Sequence, residues 1–383
     1  MLWKAAKDMH FIFIRNSYAV GRMAVGKQRR SYCYSSYGNY SRNFRAVNSN
    51  NLFDIYGSVQ QSKCRMEANM LLAINHLQVQ YGKQTALDIE ENITIEPGDR
   101  IGIIGSNGAG KTTLVKSILG LTNYKGSIQT ELKKEEIGVH MQYNNYTNTM
   151  PVKNIMETLL NTSIKKNRKL QELICFFEFE PCLKKRYSSL SGGQKQRFTI
   201  IMVMMQDAPL TFYDEVTSGL DFETRQKLME KLLEWYEGKE NALCIVSHYY
   251  DELELLADKV LILDQGKVIA FGNKEMLFEK FCGHAVITID NSEKNDMLTK
   301  QFSHLLSPGH LIALSCRDVA EEEKIIRVLL EQDVNFKRSN HDIEIMYINA
   351  KALYYGGECV DSHFVQDTAK EGRNEEKYKY KAV

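Results

Sequence analysis

No two of the eight cysteines (Cys33, Cys64, Cys175, Cys182, Cys244, Cys282, Cys316 and Cys359) stand in C-x-x-C spacing. That argues against a zinc ribbon or a dithiol redox site, and such scatter fits free thiols in a reducing compartment better than a disulfide framework. No apolar run approaches the roughly 18 residues of a membrane span. Phe11-Ile12-Phe13-Ile14 is too short for a signal-peptide core. If a membrane matters here, another chain is expected to cross it. Acidic residues are scarce at the start: residues 1–65 hold eleven lysines and arginines against only Asp8 and Asp54. With a net charge of +1 overall, the remainder is therefore mildly acidic, which argues against a dedicated nucleic-acid binder. The 383 residues, 43% apolar and 25% charged, are of ordinary globular composition and leave room for two or three domains.

The chain is organised around Gly105-Ser106-Asn107-Gly108-Ala109-Gly110-Lys111-Thr112, which reads G-x-x-x-x-G-K-[ST]. It follows the apolar run Ile101–Ile104 and precedes a periodic run from Thr112 to Leu119, so strand, loop and helix are expected in that order. Glycines let successive backbone N–H groups converge on phosphate oxygens, and the helix beyond adds its positive end. Lys111 would reach the β- and γ-phosphates, and the Thr112 hydroxyl would ligate Mg²⁺. A nucleoside triphosphate ligand follows.

Residues 1–68 have no helical or strand period and are rich in tyrosine and arginine around 29–40. Three readings fit: a disordered tail, an organellar targeting segment, or sequence upstream of the true start. Met66 and Met70, just before the first regular element, favour the third. Strands are then expected at 71–80 and 86–95, with a turn at Tyr81-Gly82-Lys83, and another at Ile137–Gln142. Across residues 143–190 the pattern becomes helical, with Ile155, Leu159, Leu170, Leu173, Ile174 and Phe177 on repeating faces.

Leu190-Ser191-Gly192-Gly193-Gln194 opens an apolar helix, and Ser191 with Gln194 has the spacing of a capping box. Two glycines after a cap weaken a helix, but suit close approach to its N–H groups. The strand Leu210–Asp214 ends on adjacent carboxylates. At a strand end such a pair can divide roles: Asp214 for the Mg²⁺ water shell, Glu215 for orienting the attacking water. Asp221 is expected to cap a helix over 222–236, with Gly238 past its end. Strand 243–248 ends on His248. A histidine so placed is usually structural, but its position after the carboxylate pair makes it a γ-phosphate contact. Val260–Leu263 and Lys267–Phe271 read as a hairpin across Asp264-Gln265-Gly266. Strand-like 285–289 and 311–314, helical 321–332 and an alternating run at 342–348 suggest a small C-terminal α/β unit. A charged tail follows.

In this order the motifs resemble the ATP-binding subunits of ABC transporters over roughly residues 70–280. Leu-Ser-Gly-Gly-Gln ahead of an apolar strand ending Asp-Glu carries the resemblance. It implies an α/β P-loop NTPase fold: a cassette at 69–280 with a mixed sheet core, an antiparallel β subdomain and a helical subdomain at about 143–190. A small α/β domain at 281–357 and a charged tail at 358–383 would follow. Tyr81 would stack on adenine, Gln142 would touch Mg²⁺, Asp221 would contact the opposite subunit, and His248 would be the switch histidine. The ATP contacts would run Gly105 to Thr113, with Ser191, Gly192, Gly193 and Gln194 closing from a second copy. Lys111, Glu215 and His248 would be catalytic, with Mg²⁺ held at Thr112, Gln142 and Asp214. A homodimer of cassettes coupled to a separate polytopic permease, on the cytoplasmic face of the membrane, is implied. A single cassette followed by a small α/β unit resembles the bacterial drug-, bacteriocin- or antibiotic-export cassettes that pair with a separate membrane protein. Ser106 and Val216 depart from prolines common in the family, and Thr211 and Tyr213 from a usually aliphatic strand. A soluble ABC ATPase of ribosomes or DNA repair is the alternative. Against it, only one phosphate loop is present, and about 80 residues without heptads or paired cysteines separate that loop from the Leu190–Gln194 motif.

Overall fold

The computed structural model describes residues 70–141, 146 and 148–356. The expectations for 1–68, for Gln142 and for 358–383 lie outside the described residues. The strands are β1 (Leu72–Tyr81), β2 (Gln84–Ile89), β3 (Ile93–Ile95), β4 (Arg100–Ile104), β5 (Lys125–Gln129), β6 (Ile137–His140), β7 (Leu210–Asp214), β8 (Ala242–Val246), β9 (Lys259–Asp264), β10 (Lys267–Asn273), β11 (Ala285–Asp290), β12 (His304–Leu305), β13 (Leu311–Cys316) and β14 (Phe336–Ser339). The helices are α1 (Lys111–Ile118), α2 (Val152–Leu159), α3 (Arg168–Phe176), α4 (Gly192–Met204), α5 (Phe222–Tyr236), α6 (Tyr250–Leu256), α7 (Lys274–Cys282), α8 (Asp296–Gln301), α9 (Val319–Glu331) and α10 (Ile343–Tyr354).

Three sheets result. β1 pairs antiparallel with β2, β3 and β5. The central sheet runs β10-β9-β4-β8-β7-β6, parallel throughout except for β10. Every residue of β7 and β8 is buried, as expected of parallel strands covered on both faces. One apolar core joins the first two sheets through Leu77, Leu87, Ile103, Phe212 and Val246, with Leu114 and Val115 of α1 inserted. Each such side chain contributes about 1.5–3 kcal/mol by leaving water. The third sheet, β12-β13-β11-β14, is wholly antiparallel and packs Ile287, Ile289 and Leu314 against Ile325 and Leu329 of α9.

Two expectations need correction. The stretch 86–95 is two strands, because the chain breaks at Glu90–Asn92 and β3 crosses to the opposite edge of β1. The alternating run at 342–348 is not a strand but the start of α10. Asp342 accepts a hydrogen bond from the Ile345 N–H at 3.0 Å, closing the first turn, and Ile343, Met346 and Ala350 are buried. By contrast, α5 and its Asp221 cap fall where expected, with Gly238 at φ 68° beyond the end. Gln265 and Gly266, both at positive φ, make the tight β9–β10 turn. The unexpected Tyr213 is accommodated in the core because its hydroxyl pairs with that of Tyr236 at 3.2 Å. Among the described cysteines, Cys182, Cys244, Cys282 and Cys316 are buried and Cys175, on α3, is exposed. No described helix is long and apolar enough to cross a membrane.

Candidate active site

β4, β7 and β8 run parallel and side by side, so the segments leaving their C-terminal ends share one sheet edge. From β4 comes the loop 105–110, from β7 Asp214-Glu215, from β8 Ser247-His248.

The loop is held tightly. A Cβ on Gly105 would lie 2.2 Å from the Leu263 carbonyl oxygen. Gly110, at φ 103°, caps α1 in a left-handed conformation with Leu87 and Ala86 against it. The Lys111 ammonium donates to the carbonyls of Gly105 at 2.7 Å and Ser106 at 3.2 Å. Burial pulls the Lys111 pKa down, and the nearby Glu215 and Asp214 charges oppose that shift.

The adjacent carboxylates diverge. Asp214 accepts a hydrogen bond from the Thr112 hydroxyl at 3.0 Å, whereas Glu215 meets His248 Nε2 at 2.7 Å. Glu215 has φ 50°, a left-handed backbone uncommon for this residue type, and its N–H donates to the Val246 carbonyl at 2.9 Å. Burial raises the Asp214 pKa, only partly offset by the Thr112 hydrogen bond. A divalent cation would relieve that cost, and two hard oxygens in contact suit Mg²⁺. Among the described residues no group of three or more His, Cys, Asp or Glu could hold a metal. With two protein oxygens, Thr112 and Asp214 would leave the other positions of a Mg²⁺ shell to phosphate and water.

Other expected residues lie apart from this cluster. Tyr81 ends β1 half exposed, and its hydroxyl accepts from Thr122 at 3.3 Å. Ser191 and Gln194 cap each other at the start of α4, at 3.2 and 3.3 Å. Asp221 caps α5 through the Thr224 N–H at 2.9 Å and hydroxyl at 2.8 Å, which depress its pKa. A Cβ on Gly192 would lie 3.9 Å from the Gly219 carbonyl oxygen and one on Gly193 3.6 Å from Leu220, so Leu190–Gln194 and the 216–221 loop adjoin. Their side chains bond locally as caps, not to the loop 105–112 of their own chain.

Two supporting residues escaped the sequence reading. Glu252, 3% exposed, accepts from Ser247 at 2.6 Å and sits 3.6 Å from Arg225, tying the root of His248 to α5. Asp264, 1% exposed, accepts from Ser106 at 3.0 Å. Both look in sequence like ordinary charged residues near a helix start and a turn. Only long-range packing buries them.

The family model described as ABC transporter matches residues 90–218. The chain is 30% identical over 246 residues to the methionine import ATP-binding protein MetN of Corynebacterium glutamicum, covering 57% of this chain and 68% of that protein. It is 32% identical over 222 residues to the Nod factor export ATP-binding protein I of Rhizobium etli, covering 53% of this chain and 68% of that one. Among solved structures, cbiO1 of Clostridium perfringens, part of the ABC transporter complex cbiONQ, aligns at 25% identity with a TM-score of 0.48. That alignment covers 55% of this chain and 91% of cbiO1. The chain belongs to the ATP-binding proteins of ABC transporters, with their cassette fold and ATPase activity.

Proposed function

We propose that this chain hydrolyses Mg²⁺-ATP at loop 105–112 and that two copies close on ATP to drive a separate membrane permease, working as an exporter at its cytoplasmic face. The observation that carries the reading is the divergence of Asp214 to Thr112 at 3.0 Å and Glu215 to His248 at 2.7 Å, beside Lys111. Thr112 and Asp214 would hold Mg²⁺, which would supply positive charge to offset that of the phosphates. The backbone N–H groups of Gly105–Thr113 and the Lys111 ammonium hold the phosphates. Glu215 orients the water that attacks the γ-phosphorus, and His248 fixes the Glu215 carboxylate and contacts the γ-phosphate. Tyr81 stacks on the adenine. Ser191–Gln194 and Asp221 of the second copy complete the site; within one chain their side chains serve as local helix caps. In this reading the cassette is 69–280, its helical subdomain is about 143–190, and 281–357 is an appended unit. Export rests on that appended unit and on the Nod factor relatives. The relatives named for methionine import support the opposite direction.

The test uses nucleotide titration and phosphate release. Lys111→Ala is expected to lose tight ATP binding. Glu215→Gln is expected to bind ATP, lose turnover by about 10²-fold or more, and run as a dimer with ATP in size-exclusion chromatography. Wild-type turnover in Glu215→Gln would overturn the water-orienting role. In cells carrying Lys111→Ala, cargo retained inside marks an exporter and cargo left outside an importer.

A further inference from the structure

Helix α10 lies along the back of the phosphate loop. Ile343, Tyr347, Lys351 and Tyr355 recur every four residues from its start to its C-cap and so share a face. The Ile343 N–H donates to Glu254 Oε1 of α6 at 3.0 Å, and the Tyr347 ring lies 6.0 Å from that of Tyr250. Tyr347 also reaches Ser106. Lys351 Nζ donates to Asp264 Oδ1 at 3.0 Å, and the Tyr355 hydroxyl donates to Oδ2 at 3.1 Å. Asp264 ends β9, and its Oδ1 also accepts from Ser106 in the loop. Two residues on, the Gly266 N–H donates to the Ala109 carbonyl at 3.1 Å. The β9–β10 turn therefore grips the loop at both Ser106 and Ala109. A proline at 106, common in the family, could not make the Ser106 bond. The Asp264 hydrogen bond holds Lys351 above the usual lysine range.

We propose that Asp264, clamped by Lys351 and Tyr355 of α10, is a positioning residue that sets the shape of the phosphate loop through Ser106, so that the C-terminal unit tunes the affinity of the cassette for ATP. No member of the clamp touches the reacting atoms. Its effect falls on the loop that grips the phosphates in ground and transition states alike. Loosening it therefore raises KM and leaves kcat nearly unchanged, whereas general destabilisation lowers kcat by reducing the active fraction.

The experiment is a double-mutant cycle on the full chain, read by steady-state ATP hydrolysis. It rests on ATP binding at loop 105–112, which Lys111→Ala checks separately: retained ATP binding there defeats the loop assignment, whatever the cycle shows. Lys351→Met is expected to raise KM about fivefold, the effect of one lost hydrogen bond. Lys351→Arg restores it. Ser106→Ala is expected to raise KM by a similar factor, and Lys351→Met added to it raises KM little further, because both cut the same connection. Should Lys351→Met not fold, with Asp264 left buried and less compensated, Tyr355→Phe replaces it in the cycle. An unchanged KM, a fall in kcat alone, or independent multiplication of the two effects would overturn the proposal.

Discussion

Glu215 and His140 show how the residues bordering the site carry both strain and desolvation. The left-handed backbone at Glu215 costs of order 1 kcal/mol or more, and it accompanies the divergence of the carboxylate from Asp214 toward His248. His140, at the end of β6, is buried, with Nε2 paired to Gln196 Oε1 of α4 at 2.9 Å. Burial lowers its pKa from 6.5 to about 4. The unfolded chain therefore takes up a proton as pH falls through 6.5, while the folded chain resists until about 4. Stability from this residue is complete above that window and declines on descending through it. Urea unfolding at pH 7 and pH 5 is expected to differ by about 2 kcal/mol through His140. His140→Leu should flatten that part of the slope, and an unchanged slope would remove His140 as its source.

Elements whose signals are local were legible in the sequence. The capping box at Ser191, the Asp221 cap, the β9–β10 turn and the order of loop, carboxylates and histidine all follow from spacings of a few residues. Ser191→Ala is expected to cost about 1 kcal/mol in thermal or urea unfolding, and a loss below a few tenths would show the cap to be idle. Helix α10 reads as a strand in the sequence because a short apolar run such as Ile343-Glu344-Ile345-Met346 satisfies both periods. The signals that decide for helix are the Asp342 cap and burial continuing to Asn349 and Ala350. The short strands β12 and β14 are defined by their partners in the C-terminal sheet rather than by any period of their own, whereas α7 carries a helical spacing at Leu277, Phe278, Phe281 and Cys282 behind an Asn273 cap. The roles of Asp264 and Glu252 were illegible for a related reason. What buries them comes from residues far along the chain, 87 positions away for Lys351 on Asp264.

For the whole molecule, loop, carboxylates and histidine lie on one sheet edge, within a compact unit that begins at Leu71. Removing residues 1–68 is expected to leave kcat and KM for ATP within about twofold, a margin below 0.5 kcal/mol. A larger loss in steady-state assay would make that extension a working part of the ATPase. The cysteine distribution gives this architecture a spectroscopic use. With Cys33, Cys64 and Cys359 replaced by serine, Cys175 on α3 becomes the one exposed thiol in a chain whose other four are buried. A maleimide dye placed there would sit on the helical segment between loop 105–112 and Leu190–Gln194. Its emission would follow that segment during turnover, without a label near the phosphates.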